Sequence, residues 1–347
     1  MTAIPPAPTV RLDIDREALA ANWRTLDAMS GDARAGAAVK ADCYGLGVDV
    51  CVPVLRDAGA RDFFVAHWSE VAAVLRHVPP EQLAVLHGAN TAEEAAYARA
   101  TGVLPVINSL HQADVWNETG GGPCHLMIDT GIHRLGIAPA DLREPAIQSL
   151  DVAVLMSHLS SADEDGSVSS EQLAAFHEAK RAVGARELSI SNSAGIGLGD
   201  DFSFDLTRPG LALYGGVPRS EMAGRIRQVA YPRAAIIQVH DLKPGDAVGY
   251  NREFTASNAM RVGTVSLGYA DGFLRSWGGR GWLEHDGERL PLLGKVSMDM
   301  VIVDLTHAPE IKLGDWLDVP YDLPAASKMS GLSQYELLTV LGQRMRS

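Results

Sequence analysis

The chain has 347 residues, and at roughly 150 residues per domain that length suggests two domains with a sizeable buried core. Its 43 acidic and 30 basic residues leave a formal charge of −13, with 46% hydrophobic and 21% charged residues. That charge repels nucleic-acid backbones and anionic lipid, and that composition excludes a disordered chain. The three cysteines, Cys43, Cys51 and Cys124, are scattered without CxxC spacing, so neither a disulfide framework nor a zinc site is encoded and no metal is expected. The N-terminal MTAIPPAPTV lacks a basic and an apolar region, and no run approaches the ~18 apolar residues of a spanning helix. A cytoplasmic protein without membrane or nucleic-acid partners is expected.

In chain order, a strand at 11–15 precedes the first helix, and the sequence leaves open which domain it joins. From residue 36 to about 215, short apolar runs alternate with amphipathic stretches, the pattern of βα units. Strands are predicted at Gly36–Asp42, Phe63–His67, Leu83–Gly88, Val103–Asn108, His125–Asp129, Val152–His158, Leu188–Ser193 and Leu211–Tyr214, with helical segments such as 91–100 and 168–184 between most of them. Eight such strands predict an α/β fold, a (β/α)8 barrel of the TIM type over residues 1–230. A doubly wound sheet usually has fewer strands, and no GxGxxG follows the first one. Past Tyr231, strand-like runs are punctuated by KPGD at 243–246, HDGE at 285–288 and KLGD at 312–315, which predicts a C-terminal all-β domain over 231–347. The run SQYELLTVLGQRM closes the chain as a helix, with Ser333 and Glu336 in capping-box spacing.

In such a barrel the active site lies at the C-terminal ends of the strands. Strand one ends in AVKADCYGLG, strand five runs into IDTGIHRLG, strand six ends in SHLS, strand seven in SNSAG, and strand eight is preceded by TRPG. Lys40, Tyr44, Arg134, His158, Ser193 and Arg208 therefore converge on one rim. Only six lysines exist, at 40, 180, 243, 295, 312 and 328, so an amine at a strand end inside an apolar run stands out. Lys40 reads either as an amine of lowered basicity, suited to a Schiff base, or as a solvated strand terminus. The glycines around Ser193 and Arg208 read either as N–H donors for a phosphate or as plain turns.

These segments, with LGYADGF and GKVSMD further on, resemble the alanine racemase family of fold-type III pyridoxal phosphate enzymes. The resemblance runs in order from about residue 11 to 345. It implies a cofactor-holding barrel, a β domain that serves the partner's active site, a head-to-tail homodimer and a small amino-acid substrate. Lys40 resembles the lysine that binds pyridoxal 5'-phosphate covalently and then acts as one base, and Tyr269 the second base, supplied by the partner chain. His158 and Arg208 match the chain of groups supporting that tyrosine, and Arg208 also matches the residue facing the pyridine nitrogen. Tyr44, Ser193, Gly210, Leu211 and Tyr335 resemble the phosphate-holding set. Arg134 matches the arginine shared by cofactor and substrate carboxylate, and the backbone at Met298 a carboxylate contact from the other subunit; Asp299 follows it without an assigned role.

One departure concerns Met127, two residues before the Asp of the DTG motif, where many members carry a carbamylated lysine that orients the arginine. Methionine accepts no strong hydrogen bond, so Arg134 must be held by another group or held less well. Smaller departures are His133, where glycine or asparagine is usual, and Phe273, where tyrosine often follows ADG. The leading expectation is a racemase for alanine. The alternatives are a racemase preferring serine or another small amino acid, and an impaired cofactor-binding homologue resembling the single-domain barrels. The second domain argues against the last, and a fold-type III decarboxylase is disfavoured because its HxGS-type phosphate motif has no counterpart.

Overall fold

The runs FFV at 63–65 and LAV at 83–85 are fully buried, so their backbone groups must pair within a sheet covered on both faces. The computed structural model, which describes residues 6–346, forms two units, Arg16–Arg227 and the segments on either side of it. The strand β1 (Val10–Ile14) belongs to the second unit. In the first, β2 (Arg34–Ala35) and β3 (Ala37–Ala38) form one interrupted strand, followed by β4 (Phe63–Val65), β5 (Leu83–Val85), β6 (Leu104–Ile107), β7 (Pro123–Met127), β8 (Asp151–Met156), β9 (Ala185–Ser189) and β10 (Leu206–Thr207). Strands β3 to β9 make one parallel sheet in sequence order, and β10 pairs in parallel with β2. The N–H groups of Asp205 and Arg208 donate to the carbonyls of Leu188 and Ser191, which links β9 to β10 and closes the (β/α)8 barrel. Gly36 stands at the interruption of the first strand, where a Cβ would lie 2.8 Å from the Asp62 carbonyl oxygen.

Two strand expectations need correction. Leu211–Tyr214 is a 3₁₀ helix, and the eighth strand is Leu206–Thr207. Four apolar residues do not distinguish strand from helix by periodicity, and here Gly210 and Gly215 flank the run and turn it. TRPG therefore starts at the last residue of the eighth strand instead of preceding it, which puts Arg208 just past the C-terminal end. The first strand stops at Ala38 rather than Asp42, because residues 41–44 adopt positive φ between 53° and 55°.

Alternation along the strands builds two apolar layers. Ile107, Leu126, Ile128 and Leu155 point outward into a cluster that includes Phe176 and Trp116, whereas Phe64, Ala84, Val106, Met127, Val154, Met156 and Leu206 fill the barrel interior. The helix Arg16–Met29 buries Leu19, Trp23 and Leu26 at helical spacing, each worth about 1.5–3 kcal/mol. The helices Ala92–Thr101 and Leu110–Glu118 start at side-chain caps from Thr91 and Ser109.

The second unit is antiparallel. The 13-residue β11 (Ala230–Leu242) is followed by β12 (Ala247–Val248), β13 (Phe254–Thr255), β14 (Met260–Val265), β15 (Trp282–His285), β16 (Glu288–Leu293), β17 (Val301–Asp304) and β18 (Trp316–Asp318). A bulge between Ile236 and Gln238 lets β11 pair with β1 and β18 along its first half and with β14 along its second, so the sheet closes on itself. HDGE makes the β15–β16 hairpin through positive φ at Asp286 and Gly287. In KPGD and KLGD the aspartate accepts the lysine N–H in the same way, at 2.7 and 2.9 Å. The capping box at Ser333 and Glu336 starts the helix Gln334–Thr339, and a second helix, Leu323–Ser330, lies where the sequence suggested none. No helix among the described residues is long and apolar enough to cross a membrane.

Candidate active site

Lys40 follows the first barrel strand directly and heads a turn of four consecutive left-handed residues, Ala41, Asp42, Cys43 and Tyr44. For non-glycine residues this conformation costs roughly 1–2 kcal/mol each, so the surroundings must impose it. Asp42 Oδ1 accepts the Val48 N–H at 2.7 Å, Glu70 accepts the Ala41 N–H, and Cys43 and Tyr44 are buried. Gly45 and Gly47, both at positive φ, take the chain out of the turn. The result projects Lys40 and Tyr44 from one short segment.

Burial pushes the Lys40 amine below its usual basicity, and the charges of Arg134 and Arg208 push it the same way, against Glu70. Arg208 is itself 6% exposed and held by Ser189 Oγ and the Ser157 carbonyl; burial pulls its guanidinium down to about 10, still charged at neutral pH. Burial, then Arg208, Arg134 and Lys40, bring the His158 imidazole down to about 3, so it is neutral.

Opposite the lysine turn, Ser193 Oγ accepts the N–H groups of Gly210 at 2.9 Å and Ala212 at 3.2 Å. Gly210 is required there, because a Cβ would lie 2.2 Å from Tyr44 Oη. Tyr44 also stacks on Tyr214 at 4.9 Å, and Tyr214 Oη donates to the Ala38 carbonyl at 2.9 Å. The barrel thus brings Tyr44, Ser193 and Gly210 together, with Leu211 next in the chain. Arg134 lies exposed in the loop after β7, beside a cleft of about 450 Å³.

In the second unit, Tyr269 and Met298 come together: the Tyr269 N–H donates to the Ser297 carbonyl and the Ala270 N–H to the Met298 carbonyl, both at 3.0 Å. Gly268 makes the approach feasible, since a Cβ would meet the Met298 carbonyl oxygen at 2.2 Å. The Arg275 guanidinium lies 5.2 Å from the Tyr269 ring centre. Arg344 pairs with both Asp271 and Asp299, tying the segment after the Tyr335 helix to the Tyr269 loop. Met298 and Tyr335 are exposed, at 54% and 45%.

Four rim groups escaped the sequence reading. Glu70 accepts the Ala66 and His67 N–H groups besides that of Ala41. His67 and His87 meet edge to face at 4.1 Å, and Asn108 is buried at the end of β6. Each follows a barrel strand, in AHWSE, LHGAN and INS, so applying the strand-end rule to strands two, three and four would have found them.

A closed parallel barrel with a low-basicity lysine, arginines and the hydroxyls of Tyr44 and Ser193 at its C-terminal rim has the architecture of a barrel enzyme. The family model for the alanine racemase N-terminal domain matches residues 14–218 and that for the C-terminal domain residues 229–347. The chain belongs to the alanine racemase family, as an isomerase of that type. It is 39% identical over 365 residues to the biosynthetic alanine racemase of Agrobacterium fabrum, covering 96% of this chain and 92% of that one. Against the alanine racemase of Cereibacter sphaeroides the identity is 39% over 347 residues, covering 97% of each. Among solved structures, alanine racemase from Bartonella henselae with covalently bound pyridoxal phosphate superposes with a TM-score of 0.90 at 32% identity, over 98% of both chains. The biosynthetic enzyme from Pseudomonas aeruginosa gives 0.89 at 30%, over 97% of this chain and 98% of that one.

Proposed function

We propose that this chain interconverts L- and D-alanine, with pyridoxal phosphate as its resident cofactor and Lys40 and Tyr269 as two opposed bases. The observation that carries the reading is Lys40: a lysine of lowered basicity at a barrel strand end, four residues before the Tyr44 whose hydroxyl packs so closely on Gly210 that a Cβ there would stand 2.2 Å from it. The residues fit the group. Tyr44, Ser193, Gly210 and Leu211, with Tyr335, would hold the phosphate, and Arg134 and Arg208 would supply positive charge for an anionic ligand. When bound, the cofactor makes the α-C–H of an attached amino acid acidic by withdrawing its electrons.

Lys40 Nζ handles the α-proton on one face, and removing it requires a neutral amine; its burial and the flanking arginines favour that form. Tyr269 of the partner subunit handles the other face, so one base removes a proton while the other, in its acid form, returns one. Each turnover therefore leaves the two bases with exchanged protonation, and the reverse direction restores them. His158, neutral in its surroundings, and Arg208 would support that tyrosine from behind. A guanidinium only donates hydrogen bonds, so Arg208, facing the pyridine nitrogen, would favour its unprotonated form. Arg134 and the backbone at Met298 of the partner subunit bind the substrate carboxylate.

The test combines activity with chemistry. Purified protein given each enantiomer of alanine and of serine should racemise alanine fastest, and borohydride reduction followed by peptide mapping should place the pyridoxyl label on Lys40. A label on Lys295 instead, or preferred turnover of serine, would overturn the corresponding part of the reading.

A further inference from the structure

The parallel register pairs Val106 with His125 and Ile107 with Leu126, so one step further Asn108 stands beside Met127. Val106 and Met127 both lie in the barrel-interior cluster, and Asn108, two residues after Val106, faces the same side. Asn108 is 5% exposed. Its Nδ2 donates to the carbonyls of Leu86 at 3.0 Å and Val106 at 2.7 Å and to Gln112 Oε1 at 3.3 Å, while its own N–H donates to Gln112 Oε1 at 2.8 Å. Gln112 is in turn fixed by donating to the His87 carbonyl and Asn90 Oδ1. Three acceptors on the nitrogen side determine which way the amide faces. Its Oδ1 is nevertheless buried and receives no hydrogen bond from any described residue, an expensive condition for a carbonyl oxygen.

Asn108 lines the same cleft as Arg134, whose guanidinium has five donors and no hydrogen-bond or salt-bridge partner among the described residues. Of its neighbours in and just after β7, one offers no strong acceptor and the other is already engaged. Met127 is a thioether packed among apolar side chains. Asp129 is committed: Oδ1 accepts the N–H groups of Gly131, Ile132 and His133 at 2.9, 3.0 and 3.1 Å, and Oδ2 faces His133 Nδ1 at 3.3 Å. We propose that Asn108 Oδ1 is the acceptor that positions Arg134 for the substrate carboxylate, so that the anchoring group has moved one strand over, from position 127 on β7 to the end of β6. A preset amide takes the place of a side chain that needs carbon dioxide to become an acceptor. Asn108 is a positioning residue: it acts through Arg134 and does not touch the reacting atoms.

The proposal rests on the reading of Arg134 as the substrate arginine, and two measurements separate the failure of either. In a double-mutant cycle on the holoenzyme, Asn108→Ala should raise KM for alanine roughly tenfold, the loss of one charge-assisted hydrogen bond, with a smaller change in kcat. Asn108→Ala combined with Arg134→Ala should be no worse than Arg134→Ala alone. If the two effects multiply, Asn108 merely ties strands together and the proposal fails. A crystal structure of the wild-type holoenzyme needs no variant and no turnover. Arg134 within hydrogen-bond distance of Asn108 Oδ1 supports the proposal even if alanine is not the substrate, and Arg134 held elsewhere overturns it.

Discussion

His125 and His158 are imidazoles that the barrel keeps neutral. For His125, burial comes first, followed by the charges of Arg208, Arg34 and Arg186, and together they bring it down to about 3, as for His158. In the unfolded chain both titrate near ~6.5. Since the folded values are depressed, the unfolded state binds protons first, and stability is intact above about pH 6.5 and falls as the pH drops toward 3. Each histidine adds up to ~1.4 kcal/mol per pH unit to that slope. His125 lies away from the proposed chemistry, with its Nδ1 buried and unpartnered among the described residues, so it is the clean test. His125→Gln should make the loss of stability between pH 6.5 and 4 shallower by about one proton, measured by urea denaturation across that range. An unchanged slope would mean that His125 is protonated in the folded protein.

At the scale of elements, the segment after Lys40 shows where local pattern loses to tertiary constraint. KADCY contains no glycine, and its apolar lead-in AAV reads as a strand running on to Asp42. The strand nevertheless gives way to a left-handed turn, because Glu70 takes the Ala41 N–H, Asp42 caps Val48, and Tyr44 must reach Gly210. Only Gly45 and Gly47 hinted at a reversal. Ala41 is exposed and keeps a φ of 53°, so its methyl group gains little and costs conformational strain. Ala41→Gly should therefore stabilise the protein by about 0.5 kcal/mol, the balance of relieved left-handed strain against the greater freedom of glycine when unfolded. Chemical denaturation reads this directly, and a clear destabilisation would show that the turn stores no strain at that residue. The same contest explains Leu211–Tyr214, where an apolar run with strand-like composition became a 3₁₀ turn between two glycines.

At the scale of the molecule, the proposed reading divides the chemistry between chains, with Lys40 in the barrel unit and Tyr269 in the β unit. Homodimers of Lys40→Ala and of Tyr269→Phe should each be nearly inactive. In a mixed dimer both lesions fall in one site and leave the other intact, so co-refolding should restore up to about half of the wild-type activity per mixed dimer, a consequence of two-fold symmetry. No rescue, with mixed dimers shown to have formed, would sink the shared-site mechanism. What the sequence determined by itself was the set of units and the candidate reactive groups: burial alternates along the chain with a local period, so the barrel and the β domain were readable, and the proposed bases Lys40 and Tyr269 sit in contiguous motifs. Tertiary structure alone decided that Arg208 follows the last barrel strand, that Tyr44 packs against Gly210, and that Asn108 stands beside Met127. These depend on barrel closure and strand register, which are set by hydrogen bonds between segments far apart in the chain, and a local pattern of apolar residues carries no record of which distant strand will supply the partner.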